Sequence, residues 1–113
     1  MGVLSVTDVS MKFHPRFVRS VIEGTKTSTL RRSLKGDIGD VFSVQDPFSK
    51  DYRFFMITGI SVLDSIPFEK IYASEGFPHV GAFRDWVFSM GYEASPESPL
   101  YLHMFKALEG CPL

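Results

Sequence analysis

The sequence predicts an α+β domain, a small mixed β-barrel flanked by short helices. Several short stretches alternate between apolar and polar residues, a pattern typical of strands, and helical patterns are inserted between them. The longest strand pattern, residues 53–63, is apolar on both faces, so its sheet needs cover outside as well as a packed interior. Short strands, inserted helices and two-sided burial together favour a small barrel.

Length and composition indicate one soluble domain over residues 1–113. Of the 113 residues 44% are hydrophobic and 22% charged, as in an ordinary globular protein. No apolar run approaches the ~20 residues of a membrane helix, and the N-terminus lacks the pattern of a secretory signal. The single cysteine, Cys111, has no partner for an internal disulfide. We therefore expect a cytoplasmic protein that does not bind membranes, while its oligomeric state stays open.

The first half of the chain begins with a predicted strand over residues 3–13. Pro15 suits the first position of a helix, where its missing N–H costs nothing. The apolar stripe of this helix consists of Phe17, Val18, Val21 and Ile22. Gly24 ends the helix because a residue without Cβ accepts the left-handed conformation. A turn at 35–40 and a short strand at 41–44 follow.

The second half contains the longest strand, residues 53–63, with an expected bend or bulge at Gly59. A short helix around 68–73 follows it. A longer helix is predicted by an apolar stripe at i, i+3, i+4 and i+7, namely Phe83, Trp86, Val87 and Met90. A surface loop at 92–99 then leads to a last strand at 100–108.

The stretch GTKTSTLR, residues 24–31, gathers polar chemistry at the start of a strand. Side chains alternate across a strand, so we expect Thr27, Thr29 and Arg31 on one face, while Lys26 can turn to either. A cation, hydroxyl groups and a guanidinium thus lie within a few residues of one another. The alternative is an ordinary solvated strand edge whose threonines serve β propensity.

Charge is distributed unevenly along the chain. Residues 12–35 contain seven Lys or Arg and one acid, a local net charge of +6, whereas the remaining residues sum to −7. A basic cluster within an acidic frame indicates a local anion site, such as one for a nucleotide or a short strand. Long duplexes usually require a broader basic face.

Four residues of this stretch match a known signature, in which Gly, Lys, Glu or Thr, and Arg stand at fixed spacing: Gly24, Lys26, Thr29 and Arg31. The stretch therefore resembles the signature of the ASCH domain family. The preceding helix, the Gly-Asp turns at 36–40 and the segment 75–77 extend the resemblance over roughly residues 11–108. The resemblance implies a PUA-like barrel flanked by helices and an association with RNA.

One branch of the ASCH family contains small bacterial amidohydrolases that convert N4-acetylcytidine to acetate and cytidine. This sequence resembles them at Lys26, Thr29 and Glu75. The resemblance implies that Lys26 accepts a proton, Thr29 is the nucleophile and Glu75 donates a proton. These roles are chemically sound, because a Thr hydroxyl requires a nearby base and burial or neighbouring cations favour a neutral lysine. The expected substrate- or RNA-binding residues are Gly24, Arg31 and Arg32.

A binding module without catalysis is the competing interpretation. The basic residues of the motif would then hold phosphates of a nucleotide or a short single-stranded RNA, and an aromatic side chain would stack on a base: Phe13, Phe77 or Tyr72. A ribonuclease with Lys26 as acid or base is a third alternative. We expect no cofactor and no metal, because the histidines are scattered and no ligand pair has suitable spacing. His103 is expected as a hydrogen-bonded histidine of the core or the rim, and Trp86 is expected first in the core.

Overall fold

A computed structural model describes residues 9–109. In chain order its elements are α1 (Pro15–Glu23), β1 (Ser28–Arg31), β2 (Val41–Gln45), β3 (Tyr52–Leu63), α2 (Phe68–Ile71), α3 (Val80–Ser89) and β4 (Leu100–Leu108). Every helix and strand predicted from residue 15 onward is present, and its ends lie within a few residues of the prediction.

The four strands form one antiparallel sheet in the order β1-β4-β3-β2. The predicted α+β class is confirmed. The prediction of a mixed, closed barrel requires correction, because every pairing among the described strands is antiparallel and the edge strands β1 and β2 do not pair with each other. The sheet is therefore an open half-barrel, and one side of β1 is free for contacts outside the sheet.

The predicted first strand over residues 3–13 also requires correction. Residues 3–8 lie outside the described residues, and residues 9–13 belong to no strand. Val9 N–H donates to the Val41 carbonyl at 2.8 Å, but Met11 and Phe13 then pack into the core against Phe42 and Phe105. Core packing of these side chains therefore replaces a continued strand ladder.

A bulge divides β3 between Ile57 and Gly59, as the glycine predicted. A Cβ at Gly59 would lie 2.6 Å from Met104 Cε, so a larger residue there would displace the end of the Met104 side chain. The expectation that β3 is buried on both faces is wrong. Phe55 and Ile57 are its only buried residues, and Val62 in its second half is 65% exposed.

Helix α1 follows the local chemistry of its ends. His14 Nδ1 accepts a hydrogen bond from Arg16 N–H at 3.2 Å, and Pro15 occupies the first helical position. Gly24 ends the helix in the left-handed conformation, with φ of 84°. The helix thereby delivers the chain directly to β1.

Two hydrophobic clusters form the core, and α1 contributes to both. Phe17 belongs to the first cluster, which packs β1 and β4 against α2 and α3. The other members of the first cluster are Leu30, Ile71, Phe77, Phe83, Val87, Leu100 and Leu102. Val21 belongs to the second cluster, with Met11, Phe42, Val44, Phe55, Ile57 and Phe105. Nine phenylalanines are among the rings that pack edge-on, tilted or stacked in and around these clusters.

Among residues 9–109, no helix has the length and apolar character needed to cross a membrane.

His103 is a fully buried histidine on β4, opposite Thr29 in the β1–β4 ladder. Its Nε2 accepts a hydrogen bond from Lys35 N–H at 3.0 Å, so the neutral ring carries its proton on Nδ1, which has no hydrogen-bond partner among the described residues. Burial lowers the pKa of His103, and the nearby carbonyls of Thr29 and Tyr101 oppose this shift. The core position predicted for His103 is confirmed, with one ring nitrogen unpaired.

The free energy of unfolding should therefore fall in mild acid. The pKa of His103 in the folded chain lies below the unfolded value of about 6.5, so the unfolded chain takes up the proton first. Stability should be complete above about pH 6.5 and should decline toward the folded pKa by at most about 1.4 kcal/mol per pH unit. His103→Gln keeps an acceptor for Lys35 N–H and should reduce this slope in urea denaturation.

His79→Asn is the matched control for this measurement. His79 is exposed and caps α3 through a hydrogen bond from Ala82 N–H at 3.1 Å, and asparagine is also a good helix cap. The control should retain the wild-type slope of stability against pH. An unchanged slope in His103→Gln would contradict the assignment.

Candidate active site

A cleft lies between β1 and α3, with about 520 Å³ of space between its walls, part of it open to solvent. Three parts of the chain line the cleft. The 26–31 segment and the turn after α2 contribute Lys26, Thr29, Leu30, Arg31 and Glu75. Helix α3 and the residues after it contribute Phe83, Trp86, Val87, Met90 and Tyr92, and α1 with the residues before it contributes Lys12, Phe13, His14 and Phe17.

The turn after α2 covers the free edge of β1. The Ser74 carbonyl accepts hydrogen bonds from Thr27 N–H at 2.7 Å and from Ser28 N–H at 3.0 Å. Farther along the same edge, Glu75 Oε1 accepts from Leu30 N–H at 3.2 Å. Because an uncovered strand edge leaves backbone donors unpaired, this docking explains why Glu75 lies against the motif although 44 residues separate it from Arg31.

Lys26 and Glu75 form a buried pair. Their side chains are only 4% and 5% exposed, and Lys26 Nζ lies 3.7 Å from Glu75 Oε1. Lys26 Nζ also donates to the Glu75 carbonyl at 3.0 Å and lies 4.8 Å from the centre of the Phe17 ring. Burial lowers the pKa of Lys26; the Glu75 charge opposes this shift and the Arg31 charge adds to it. The predicted proximity of Lys26 and Glu75 is therefore present.

Ser28 is a polar contact of Glu75 that the sequence did not reveal. It is 1% exposed, and its hydroxyl donates to Glu75 Oε2. Its Oγ also lies 2.8 Å from Ser74 Oγ, and Ser74 Oγ donates to the Ile71 carbonyl at 3.0 Å. Strand alternation placed Ser28 on the face opposite Thr29, but only the docking of the 74–75 turn makes that face part of the site.

Thr29 and Arg31 face the cleft from alternate positions of β1. Arg31 Nε donates to Thr29 Oγ1 at 3.3 Å, and its guanidinium carbon lies 5.1 Å from the centre of the Phe13 ring. Burial lowers the pKa of Arg31, while Tyr92 and Glu75 oppose this shift. Lys26 Nζ and Thr29 Oγ1 line the same cleft but share no hydrogen bond in this structure.

The other two predicted binding residues lie outside the cleft lining. Gly24 is the exposed residue that ends α1. Arg32 donates through Nη2 to the Met90 carbonyl at 2.9 Å, and its guanidinium carbon lies 4.5 Å from the centre of the Tyr92 ring. Arg32 thus contacts the back of the segment that carries Met90 and Tyr92.

Three of the seven basic residues between positions 12 and 35 line the cleft: Lys12, Lys26 and Arg31. Arg16 lies over the Trp86 ring, with 4.9 Å between its guanidinium carbon and the ring centre. Arg19 pairs with Glu23 at 2.9 Å. The predicted convergence of the basic cluster on one cleft therefore holds for only part of it.

Aromatic side chains form the apolar walls. Of the three stacking candidates, Phe13 lines the cleft, whereas Phe77 is buried in the first cluster and Tyr72 packs against that cluster. Trp86, expected first in the core, is partly buried and lines the cleft together with Tyr92. Among residues 9–109, no group of three His, Cys, Asp or Glu side chains is placed to hold a metal ion.

Comparison with known proteins gives two similar solved structures. An ASCH domain from Lactobacillus crispatus JV V101 is 20% identical to this chain and superposes with a TM-score of 0.56, over 80% of this chain and 69% of that one. Protein EF3133 from Enterococcus faecalis V583, of the DUF984 family, is 14% identical, with a TM-score of 0.55 over 82% of this chain and 67% of that one. No protein-family model and no curated protein sequence matches this chain.

Glu75→Gln should destabilise the fold by about 3–5 kcal/mol, because it leaves the charge of Lys26 buried without a counter-charge. The double variant Lys26→Met/Glu75→Gln removes both charges and should recover a large part of that loss. Urea denaturation of the two variants and of Lys26→Met measures the coupling between the two side chains. Glu97→Gln, in the exposed loop after α3, should leave the stability unchanged. Additive losses from Lys26→Met and Glu75→Gln would show that the pair is not coupled.

Proposed function

Since this chain has an ASCH-like fold, we propose that it is a hydrolase that removes an acyl group from the exocyclic amine of a cytidine-type nucleoside. The observation that carries this proposal is the meeting of Lys26, Thr29 and Glu75 in one cleft, with Lys26 buried and its pKa lowered. A hydroxyl nucleophile, a lysine with a lowered pKa and a carboxyl group are the three groups that amide hydrolysis by a threonine requires.

Lys26 and Glu75 together hold one transferable proton. It resides either on Lys26, which gives an ion pair, or on Glu75, which gives two neutral groups. Burial lowers the pKa of Lys26, which brings the neutral arrangement within reach of the ion pair seen in the structure. The neutral pair supplies a base and an acid at the same time, and the reaction begins from it.

The first half of the reaction transfers the acyl group to Thr29. Thr29 Oγ1 forms a bond to the acyl carbon, its proton passes to Lys26 Nζ, and the carbonyl π electrons move to the oxygen. As those electrons return, the carbon–nitrogen bond breaks and the departing amine takes the proton of Glu75. The products of this half are the free amine, an ester on Thr29, an ammonium at Lys26 and a carboxylate at Glu75.

The second half hydrolyses the ester. Water adds to the ester carbonyl and gives a proton to the Glu75 carboxylate. When the carbon–oxygen bond to Thr29 breaks, Lys26 returns its proton to Thr29 Oγ1. Amide and water have become carboxylic acid and amine, and the pair is neutral again. The missing hydrogen bond between Lys26 and Thr29 is compatible with these steps, since catalytic contacts often tighten only when substrate binds.

The walls of the cleft are suited to a flat ring. Phe13, Trp86 and Tyr92 present aromatic surface beside the polar group of Lys26, Thr29 and Arg31. Bases stack on such side chains without requiring a particular sequence, at about 1–3 kcal/mol per base. A pyrimidine between these walls would direct its exocyclic amine toward Thr29.

Purified protein should release cytidine from N4-acetylcytidine, as measured by chromatography. Thr29→Val removes the hydroxyl at nearly constant shape and should abolish turnover, whereas Thr29→Ser should retain it. Lys26→Arg preserves the positive charge but removes the base, because arginine does not give up its proton, and should also abolish turnover. Substrate affinity of Thr29→Val should stay within about tenfold of wild type, or 1.4 kcal/mol.

The fluorescence of Trp86 reports binding separately from turnover, because it is the single tryptophan of the chain and lines the cleft. A folded wild type that binds cytidine ligands and releases no cytidine would refute the hydrolase. Full turnover by Thr29→Val would remove the nucleophile assignment.

A nucleotide-binding module is the second candidate, and the charge of the cleft favours it. Lys12, Lys26 and Arg31 line the cleft with a single acid, Glu75. If the cleft serves only to bind phosphates, cytidine 5′-monophosphate should bind more tightly than cytidine. Its affinity should also fall with rising salt, because salt screens the attraction between the phosphate and the basic side chains. Equal affinities at low and high salt would exclude this candidate.

A further inference from the structure

Arg31 is a cation held in place without a carboxylate. Its guanidinium is fixed by the hydrogen bond to Thr29 Oγ1 at 3.3 Å and by the Phe13 ring. Among residues 9–109, no acidic side chain lies within 4.0 Å of it. Burial lowers the pKa of Arg31, a shift that Tyr92 and the more distant Glu75 oppose, but no carboxylate of the described residues forms a direct ion pair with the guanidinium.

The one acid of the cleft is already engaged. Glu75 receives hydrogen bonds from Ser28 and from Leu30 N–H, and it pairs with Lys26. The guanidinium of Arg31 retains terminal N–H donors beyond the Nε that contacts Thr29. A partly buried guanidinium whose terminal donors have no hydrogen-bond partner and no direct ion pair among the described residues favours an anionic oxygen of the ligand as its partner.

The position of Arg31 indicates which anionic oxygen of the ligand it contacts. Its Nε lies 3.3 Å from the Thr29 hydroxyl oxygen, so the guanidinium flanks the atom that attacks the acyl carbon. The phosphate of a nucleotide is separated from the exocyclic amine by the whole base and the ribose. With the acyl carbon at Thr29, that phosphate lies beyond the reach of Arg31, whereas the oxygen of the acyl group lies next to it.

We propose that Arg31 binds the anionic oxygen at the acyl end of the cleft. It holds first the oxyanion of the tetrahedral intermediate and then the carboxylate of the acid product. This inference rests on the proposed hydrolysis at Thr29, and it adds a fourth catalytic residue and a subsite for small carboxylates. It also separates the acyl end of the cleft from the aromatic walls that take the base.

The electron movements give Arg31 its role. While the bond from Thr29 to the acyl carbon forms, the carbonyl π electrons become a lone pair on oxygen, and the guanidinium donates hydrogen bonds to that charge. When the carbon–nitrogen bond breaks, the electrons return to the carbonyl and the hydrogen bonds weaken. Donors fixed in advance at such an oxygen lower the barrier, because they require no reorganisation during the reaction.

Steady-state kinetics of Arg31→Ala tests the catalytic role. Loss of an oxyanion donor typically lowers kcat by about 10²–10³-fold, and KM should change much less because the ground-state amide carries no charge there. Millimolar guanidinium should restore part of kcat in Arg31→Ala, and Arg31→Lys should retain more activity than Arg31→Ala. Arg53→Ala, an exposed arginine of β3 outside the cleft, should keep wild-type kinetics. A rise in KM at constant kcat would overturn the oxyanion role.

Acetate binding tests the subsite without any turnover. Titration of acetate into wild type should change Trp86 fluorescence or the amide NMR signals of residues 29–31, and Arg31→Ala should abolish this response while still binding cytidine. Arg53→Ala should respond as wild type does. The absence of any acetate effect on wild type would show that the subsite does not bind carboxylates. The same conclusion would follow if Arg31→Ala lowered the affinity for cytidine 5′-monophosphate more than the affinity for cytidine.

The two experiments distinguish the two proposals. An Arg31-dependent acetate response in a protein that never releases cytidine would refute the proposed hydrolysis and leave the carboxylate subsite standing. Turnover of N4-acetylcytidine that is undiminished in Arg31→Ala would refute the inference and leave the hydrolase standing.

Discussion

The docking of Glu75 against β1 is the interaction on which the candidate site depends. Its carboxylate accepts the hydrogen bond from Leu30 N–H, a donor that would pair with a neighbouring strand in a wider sheet. The same carboxylate supplies the counter-charge of Lys26. Glu75 thus covers a strand edge and permits burial of a lysine. It also places a carboxyl group against the Ser28 hydroxyl, in the cleft that Thr29 lines. Stability and the proposed chemistry are therefore coupled through this single side chain.

The alternation of β1 then divides its side chains between two tasks. Ser28 orients Glu75 and Leu30 enters the first hydrophobic cluster, while Thr29 and Arg31 face the cleft. Because a strand fixes successive side chains on opposite faces, four residues suffice to join the core to the reacting groups. Gly76 keeps this arrangement tight: a Cβ there would lie 3.1 Å from Lys26 Cβ, at a φ of +92° that disfavours other residues.

Local patterns predicted the elements better than their assembly. Pro15 and Gly24 marked the ends of α1, and Gly59 marked the bulge of β3, because these residues act through their own backbone geometry. The open antiparallel sheet and the loss of strand character at residues 9–13 depend on contacts between distant segments, which no local pattern contains.

In the candidate site, too, individual residues were predicted better than their assembly. The motif and its resemblance to ASCH domains predicted Lys26, Thr29 and Glu75 in one site, and all three line the cleft; the two similar solved structures share the fold. Sequence reasoning missed Ser28 and the place of Trp86 in the cleft wall. It also assigned substrate contact to Arg32, whose guanidinium binds the Met90 carbonyl instead. These outcomes follow from how a loop and a helix end dock on β1, which residue spacing does not determine.

The most direct test of nucleophilic catalysis by Thr29 is a search for the acyl-enzyme. N4-acetylcytidine mixed with the protein, quenched in acid within the first turnovers and digested should yield the peptide containing Thr29 with the added mass of one acetyl group, located on Thr29 by fragmentation. Nucleophilic catalysis by Thr29 predicts this adduct in wild type and its absence in Thr29→Val. Continued release of cytidine with no adduct on Thr29 at any quench time, together with undiminished release by Thr29→Val, would contradict it.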